Sequence, residues 1–288
     1  MSKPFKLKVS TTAQGTSLMR AISYYEKNPF YKGEDFIASA ILPSFLAKMA
    51  KYNFSRTTLK KALFKVPGIY EYVISRTHFI DEIFKSDLSG IEQILIFGAG
   101  FDSRAIRFEK ELKYIKIFEI DAPPTQQAKI SRFAEKNIDF PANIEFVSFD
   151  LTQEGLGEKL EEAGFRKHRR CLILLEGLTY YLPQETIFSI FDFICNCTAE
   201  ESQVIFDYAF GLADNRIPGN EKNYQSLVNA GESPGFVLEG EIQDFLKTYN
   251  FEIIEELDSV KLAKRYFNIE DFEQAAQKFR LVNAVKKN

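Results

Sequence analysis

Two glycines and an aspartate stand at positions from which a protein chain can bind a nucleoside. Gly98 and Gly100 follow the apolar run 93–97, and Asp121 comes at the end of the next apolar run. Glycines permit a tight turn and let a ligand approach the main chain, while a carboxylate at the following strand end can accept hydrogen bonds from ribose hydroxyls. The pattern predicts a nucleoside-binding turn, with a glycine turn that binds no ligand as the alternative.

The residues after the second glycine argue against a ligand that carries phosphates. Dinucleotide-binding turns have a third glycine three positions later, where this chain has Ser103, and the carboxylate of Asp102 would repel a pyrophosphate. A P-loop is excluded because no Gly-Lys-Ser/Thr follows the glycines. The predicted ligand is therefore S-adenosylmethionine, a nucleoside cofactor without phosphates.

An arginine upstream of the turn could bind the charged end of this cofactor. Arg76 lies on the apolar stripe of a helix predicted over 69–84, and a guanidinium facing inward needs an anion such as the cofactor carboxylate. A structural acid or water could satisfy it instead. Replacing Arg76 by leucine is expected to weaken cofactor binding and could stabilise the protein without ligand.

Two acids follow predicted strands, at the sheet edge where α/β proteins bind ligands. Asp150, with Leu151 beside it, could bind and cover an adenine ring, or it could begin the next helix as its N-cap. Glu176 directly follows the apolar run 171–175. A buried acid at that position is costly unless it contacts a ligand or a cation.

Two tyrosines are weak candidates for a direct part in catalysis. The rings of Tyr180 and Tyr181 could contact a sulfonium, although ordinary packing is the alternative for at least one of them. The chain has only two histidines, His78 and His168, and neither lies in a recognisable motif. This favours an acceptor that is already ionised, such as a carboxylate, whereas a phenol would benefit from a base.

These side chains need an α/β sheet to bring them together. Residues 1–90 are predicted to be helical, and from residue 91 short apolar runs alternate with amphipathic segments, which predicts a doubly wound parallel sheet. The predicted strands are 93–97, 114–118, 144–149, 171–175 and 203–208. The helices predicted between them lie near 103–111, 124–136, 153–163 and 184–197.

The chain after the fifth strand is predicted to depart from simple alternation. Residues 209–237 contain several glycines and prolines and are expected to form a lid or insertion. A helix near 239–248, strands at 251–257 and 260–267, and a last helix to about 283 are predicted to follow. We therefore expect an N-terminal helical cap over 1–90 and a cofactor-binding domain over 91–288.

Composition and charge limit the class of protein further. The 37 basic and 40 acidic residues are well mixed and give a net charge of -3, which argues against nucleic-acid binding. No apolar run approaches the roughly 18 residues of a membrane span, and the three cysteines lack the spacing of a zinc site or disulfide framework. We expect a cytosolic protein without metal, nucleic-acid or membrane partners.

As a set, the motifs resemble those of the leucine carboxyl methyltransferase family. They are, in chain order, Ser10-Thr-Thr-Ala13, Arg20-Ala21, Arg76-Thr77 with Asp81, Gly98-Ala-Gly-Phe-Asp-Ser-Arg104, Phe118-Glu-Ile-Asp121, Phe149-Asp-Leu151 and Glu176-Gly-Leu-Thr-Tyr-Tyr-Leu-Pro183. The resemblance covers residues 10–210 and is closer to the bacterial small-molecule branch, which includes polyketide O-methyltransferases, than to members that modify proteins.

The resemblance implies a class I methyltransferase fold, a Rossmann-like doubly wound sheet of seven strands whose last strand is antiparallel. It also assigns cofactor contacts to eight residues, from the methionine carboxylate to the adenine: Arg76 for the carboxylate, Gly98, Ala99 and Gly100 beneath the amino-acid end, Glu176 near the amino group, Asp121 for the ribose, and Asp150 with Leu151 for the adenine.

The function predicted from these observations is an S-adenosylmethionine-dependent O-methyltransferase that acts on a carboxylate or phenolic hydroxyl of a small molecule. A protein acceptor remains a less favoured possibility. Two alternatives from other classes stay open. One is a nucleoside-binding regulatory or interaction protein without catalysis, and the other is a nicotinamide-dependent oxidoreductase, which Asp102 and Ser103 disfavour.

Overall fold

The structure, a computed structural model, describes residues 9–52, 58–60, 67–210, 235–238, 240–268 and 278–288. Its helices in these ranges are α1 (Thr11–Tyr24), α2 (Ser44–Lys51), α3 (Ile69–Lys85), α4 (Arg104–Arg107), α5 (Pro123–Glu135), α6 (Leu156–Glu162), α7 (Gln184–Cys197), α8 (Ile242–Thr248) and α9 (Ser259–Phe267). Its strands are β1 (Gln93–Phe97), β2 (Lys116–Asp121), β3 (Ile144–Ser148), β4 (Cys171–Leu175), β5 (Gln203–Phe210), β6 (Val237–Leu238), β7 (Phe251–Asp258) and β8 (Phe279–Lys286).

One mixed sheet carries all eight of these strands. Its order is β3-β2-β1-β4-β5-β8-β7, and the two-residue β6 pairs with β5 outside this path. The first five strands run parallel, and β8 is antiparallel to both β5 and β7. The predicted class I doubly wound fold with an antiparallel strand near its end is confirmed, with short β6 as an addition to the seven strands expected.

Helices cover both faces of the sheet because its central strands are apolar on both sides. Along β1, Ile94 and Ile96 belong to one core cluster, whereas Leu95 and Phe97 belong to the other. The first cluster receives apolar residues of α1, α3 and α9, and the second those of α6, α7 and α8. A continuous apolar run is typical of a parallel strand buried on both faces.

Of the four elements predicted after residue 238, the helix near 239–248 and the strand 251–257 are confirmed as α8 and β7, and the other two are wrong in type where the structure describes them. The stretch 260–267, predicted as a strand, is helix α9, which Asp258 caps by accepting a hydrogen bond from the Lys261 amide at 2.7 Å. The predicted last helix, extending to about 283, overlaps β8, which begins at Phe279. Leu262 and Ala263 of α9 are fully buried against α3, so packing on that helix explains the helical conformation.

The predicted insertion 209–237 lies mostly outside the described residues. Its two ends are described and meet, since Ala209 and Phe210 of β5 pair with Val237 and Leu238 of β6. The adjoining Phe236 amide donates to the carbonyl of Leu182 at 2.8 Å. In the described ranges no helix has both the length and the apolar content that a membrane crossing requires.

Candidate functional site

A cavity of about 520 Å³ opens at the carboxyl ends of β1, β2, β3 and β4. All eight residues predicted to contact the cofactor line it: Arg76, Gly98, Ala99, Gly100, Asp121, Asp150, Leu151 and Glu176. The sheet explains the convergence of seven of them, because parallel neighbouring strands end at one edge and the residues there meet, whereas Arg76 comes from α3. Residues of α1 and its N-terminal flank, including Ser10 and Thr12, form a further wall.

The glycine turn has a backbone conformation and close neighbours that favour glycine. Gly98 and Gly100 have positive φ angles of 61° and 52°, which other residues adopt at a cost. A Cβ atom on Gly98 would lie 2.7 Å from Leu178 Cδ1, and one on Gly100 would lie 3.1 Å from Ala13 Cβ. Side chains at either position would strain or crowd this part of the cavity.

Asp121 is the last residue of β2 and is tied to this turn. Its Oδ2 accepts a hydrogen bond from the Gly100 amide at 2.5 Å, and its Oδ1 accepts one from the Ala122 amide at 2.6 Å. Burial raises the pKa of the carboxyl, and the two amide donors only partly oppose this. Since a carboxylate oxygen has two lone pairs, each can still accept a further hydrogen bond from a ligand.

Arg76 is buried, 2% exposed, and paired with two acids. Its Nε donates to Glu176 Oε1 at 3.0 Å, and its Nη1 donates to Asp207 Oδ2 at 2.5 Å and to the Tyr180 hydroxyl at 3.3 Å. Burial alone would lower the pKa of Arg76, but Asp207 and Glu176 raise it well above its ordinary value. Nη2 donates no hydrogen bond to any residue in the described ranges, which leaves one donor for a ligand in the cavity.

Glu176 is held between two guanidinium groups. Its Oε1 accepts from Arg76, and its Oε2 accepts from Arg104 Nη1 at 2.7 Å. Burial would raise the pKa of this carboxyl, but Arg104 and Arg76 outweigh burial and hold it below its ordinary value. Glu176 is therefore an anion on the wall of the cavity.

Asp102 is also ionised, but its charge is compensated. Its Oδ1 accepts from the Arg104 amide at 2.7 Å and its Oδ2 from Arg104 Nη1 at 2.5 Å. Although burial opposes ionisation, Arg104 lowers the pKa of Asp102 to about 2. The charge that the sequence predicts to repel phosphates is thus largely neutralised by a neighbour two positions away.

Asp150 and Leu151 lie in the turn after β3. Asp150 Oδ1 accepts from the amide and the hydroxyl of Thr152, at 3.0 and 2.8 Å. The alternative role as a helix N-cap is wrong, because α6 begins at Leu156 and its N-cap is Gly155. Leu151 is partly buried against the second core cluster while it lines the cavity.

The two tyrosines differ in position. Tyr181 is 43% exposed and lines the cavity. Tyr180 is buried outside the described cavity wall, where its hydroxyl donates to Asp207 Oδ2 at 3.2 Å and its ring contacts that of Phe279 at 5.2 Å between centroids. Of the two candidates, only Tyr181 is placed to touch a molecule in the cavity.

Two charged residues at this site received no role from the sequence, although Arg20 belongs to one of the family motifs. Arg20 of α1 lines the cavity, with its Nε on Asp35 Oδ2 at 2.8 Å and its Nη2 on the Phe101 carbonyl at 2.7 Å. Asp207 is fully buried in β5 and is the partner of Arg76. A sequence signal existed for both, since each charge interrupts an apolar run, 18–22 and 204–210.

Both histidines lie away from the cavity wall. His78 of α3 stacks on Tyr266 at 5.5 Å between ring centroids, and the His168 amide donates to the Cys197 carbonyl at 2.7 Å. The described residues that line the cavity also include no lysine and no cysteine. The cavity wall described here therefore offers carboxylates, hydroxyls and guanidinium groups, but no imidazole, thiol or amine.

Comparison with known proteins identifies the family of this chain. The sequence profile described as leucine carboxyl methyltransferase matches residues 15–195. A protein of Bacillus subtilis (strain 168), named "Putative S-adenosyl-L-methionine-dependent methyltransferase YktD", is 25% identical over 224 residues, which are 74% of this chain and 72% of that protein. A protein of Mycobacterium marinum (strain ATCC BAA-535 / M), named "Putative S-adenosyl-L-methionine-dependent methyltransferase", is 29% identical over 215 residues, which are 72% of this chain and 68% of that protein.

Solved structures agree on the fold. The crystal structure described as a "putative methyltransferase" from Thermobifida fusca YX has a TM-score of 0.59 at 13% identity and covers 98% of this chain and 96% of its own. A DUF574 family protein from Streptomyces avermitilis MA-4680 has a TM-score of 0.58 at 11% identity, covering 93% and 97%. With the profile match over more than half of its residues, the chain belongs to the leucine carboxyl methyltransferase family and is an S-adenosylmethionine-dependent methyltransferase.

Proposed function

We propose that this enzyme methylates a carboxylate oxygen of a small molecule, with a phenolic hydroxyl as the second acceptor class, and that the eight residues predicted from the sequence hold its cofactor. The observation that carries the proposal is their convergence on one cavity at the carboxyl ends of four parallel strands. Ligands of open α/β sheets bind in that position.

The turn and Asp121 fit the nucleoside half of S-adenosylmethionine. Gly98 and Gly100 line the cavity without side chains, so the cofactor could lie against their main chain. The free lone pairs of Asp121 suit two ribose hydroxyls, since both oxygens are already oriented by main-chain amides. Asp150 and Leu151 would bind and cover the adenine from the next strand end.

The charged groups fit the methionine half. Arg76 keeps Nη2 as a donor for the carboxylate, and Arg20, which lines the same cavity, keeps Nη1 free of hydrogen bonds to described residues. Glu176 supplies an anion for the ammonium group, and its depressed pKa keeps it ionised at neutral pH. Arginine on carboxylate and carboxylate on ammonium are charge-assisted pairs, stronger than neutral hydrogen bonds.

The described wall carries no imidazole or amine that could act as a general base, and this supports an acceptor that is already ionised. When bound, S-adenosylmethionine supplies the methyl group that an acceptor oxygen receives. A carboxylate is already ionised at pH 7 and needs only orientation and exclusion of water. A phenol, with a pKa of about 10, would need a base or a strong hydrogen-bond acceptor. Neither histidine lies on the described wall, which supports a carboxylate as the acceptor.

Tyr181 is the residue that we expect to meet the acceptor. It is the exposed aromatic side chain of the described cavity wall, and Thr12 of α1 lies on the same wall. An aromatic ring in this position can orient a small acceptor and exclude water from the reacting oxygen. This role is positioning, because a phenol at its ordinary protonation state is a poor base at neutral pH.

Two measurements test the proposal. Isothermal titration calorimetry with S-adenosylhomocysteine and NADH should give binding only for the former, and binding of NADH alone would reject the cofactor site. A panel of paired acceptors, each a carboxylic acid beside the phenol of similar shape, should then give S-adenosylhomocysteine mainly with the acids. Turnover of phenols alone would reject the carboxylate preference, and cofactor binding without any turnover would favour a protein that binds but does not catalyse.

A further inference from the structure

A chain of buried ion pairs connects the cavity wall to the helical cap. Glu176, on the wall, has one oxygen on Arg76 of α3 and the other on Arg104 of α4. Arg76 and Arg104 are each 2% exposed, so water cannot replace their ion-pair partners. The position of Glu176 therefore depends on what holds these two arginines.

Arg104 is oriented from one side by an acid of α3. Its Nε donates to Asp81 Oδ1 at 2.7 Å, whereas its Nη1 is shared between Asp102 and Glu176. Its Nη2 is buried and has no hydrogen-bond partner in the part of the chain that the structure describes. Without Asp81, every remaining side-chain hydrogen bond of Arg104 would fall on Nη1, and the guanidinium could pivot about that atom.

Asp81 also fixes the second arginine of the same helix. Its Oδ2 accepts from Arg107 Nη1 at 2.7 Å, and its Oδ1 accepts from Arg107 Nη2 at 3.0 Å. Helix α4 has only four residues and directly follows the glycine turn. One carboxylate thus anchors both arginines of this helix, although Asp81 itself is 5% exposed and does not line the cavity.

We propose that Asp81 is a positioning residue for the cofactor: through Arg104 it sets the orientation of Glu176 and Asp102 on the cavity wall. This inference rests on the proposed function, because it requires that Glu176 contacts the bound cofactor. Helix α3 then controls Glu176 by two routes, directly through Arg76 and indirectly through Asp81 and Arg104. The bidentate pair of Asp81 with Arg107 fixes the carboxylate in geometry as well as adding strength.

A double-mutant cycle on cofactor affinity separates positioning from general stability. The dissociation constant of S-adenosylhomocysteine is measured by calorimetry for wild type, Asp81→Asn, Glu176→Gln and the double variant, with thermal unfolding of each. Residues of one ion-pair network typically couple strongly enough that Asp81→Asn should weaken binding about tenfold in the wild-type background and less than about twofold in Glu176→Gln. A purely structural role predicts the same loss in both backgrounds.

The neighbouring residue supplies a matched control. Glu82 lies on the same helix, but its carboxylate accepts from Arg265 Nη2 at 2.9 Å and from the Tyr266 hydroxyl at 2.8 Å. Glu82→Gln makes the same chemical change and should leave the dissociation constant within about twofold of wild type. A tenfold loss in this control would overturn the inference, because it would show that any acid lost from α3 disturbs the site.

The remaining outcomes also decide. If Asp81→Asn does not fold, Asp81→Glu keeps the charge and displaces the carboxylate by one methylene. It should weaken binding about tenfold, and wild-type affinity would overturn the inference. If Asp81→Asn binds with wild-type affinity, or loses affinity equally in both backgrounds, the inference is also overturned. If Glu176→Gln alone leaves affinity unchanged, the proposed contact of Glu176 fails and the positioning role fails with it.

Discussion

Replacing Arg76 by leucine should destabilise the protein without ligand, although leucine suits the apolar stripe on which Arg76 lies. The structure places two buried carboxylates against the guanidinium, Glu176 and Asp207, with Asp207 fully inaccessible to solvent. Leucine would leave both acids without this cation. The acids reverse the expectation, drawn from the sequence alone, that leucine could stabilise the empty protein.

The size of the effect follows from what each acid keeps. Removing one partner of a buried ion pair costs about 3–5 kcal/mol. Glu176 would keep its contact with Arg104, and Asp207 would keep two tyrosine hydroxyls and one main-chain amide as donors. Because this compensation is partial, we expect a loss near the lower limit, about 3 kcal/mol. For a domain of this size that corresponds to a fall in Tm of about 6 °C.

Urea unfolding of the ligand-free protein at pH 7 would measure this loss. Arg280→Leu is the control, because Arg280 pairs with Glu256 at 3.0 Å but both side chains are partly exposed. Such pairs contribute about 0–1 kcal/mol. If Arg76→Leu is as stable as wild type, or loses no more than Arg280→Leu, the electrostatic account of this network is wrong. The variant should also bind S-adenosylhomocysteine more weakly, since it lacks the Nη2 donor.

Three further outcomes are expected. Asp121→Ala should weaken S-adenosylhomocysteine binding about 10- to 100-fold in calorimetry, because a hydrogen bond to a charged group contributes about 1.5–3 kcal/mol; near-wild-type affinity would reject the ribose contact. Gly98→Ala should lower both Tm and the affinity for S-adenosylhomocysteine, since its Cβ would lie 2.7 Å from Leu178 Cδ1. Gly164→Ala, also at positive φ but with nothing within 4 Å, should lower Tm alone. Equal affinities of the two variants would argue against crowding at Gly98. Burial opposes ionisation of Asp102, but Arg104 lowers the pKa of this carboxyl to about 2. The stability advantage of wild type over Asp102→Asn should therefore be complete above about pH 4 and vanish as the pH falls to about 2. A difference in urea unfolding that does not change across this range would refute that reasoning.

The site residues on single strand ends could be predicted because their chemistry is local. Gly98 and Gly100 follow an apolar strand directly, and Asp121 ends the next strand, so neighbouring positions in the sequence determine where they lie. Parallel strands then bring such residues to one edge whatever the rest of the fold contains. That is why seven of the eight predicted residues share a cavity, which Arg76 enters from α3, although their contacts with the cofactor stay predictions.

The last two elements were harder to assign from the sequence than the strand ends, because a short apolar segment fits the spacing of a helix and of a strand equally well. In α9 the buried residues Ser259, Leu262, Ala263 and Phe267 recur at helical spacing, and Asp258 provides an N-cap signal. The helical spacing and the N-cap residue therefore both favour a helix over the strand predicted for 260–267. Residues 279–286 are apolar on both faces because β8 lies between β5 and β7, so no clean alternation marks it as a strand.

The partners of the buried charges could not be predicted, because they lie far apart along the chain. Arg76 donates to Glu176 and Asp207, which are 100 and 131 positions away. An arginine on an apolar stripe shows that an anion must be present, but ligand and structural acid satisfy that requirement equally well. The structure contains two structural acids, which confirms that alternative, and Nη2 remains available, so the ligand role stays a prediction.

The same charges bear on how the cap and the sheet depend on each other. The boundary expected near residue 90 separates a helical segment from a strand-rich one in sequence, and it stays a prediction. Energetically, however, α3 supplies Arg76 and Asp81 to acids and arginines on the other side of that boundary. Without α3, Glu176 and Asp207 would be exposed or left as uncompensated charges, at several kcal/mol each if they remained buried. We therefore expect the helical cap to contribute to the proposed cofactor site, so an enzyme shortened to residues 91–288 should lose affinity for the cofactor together with its stability.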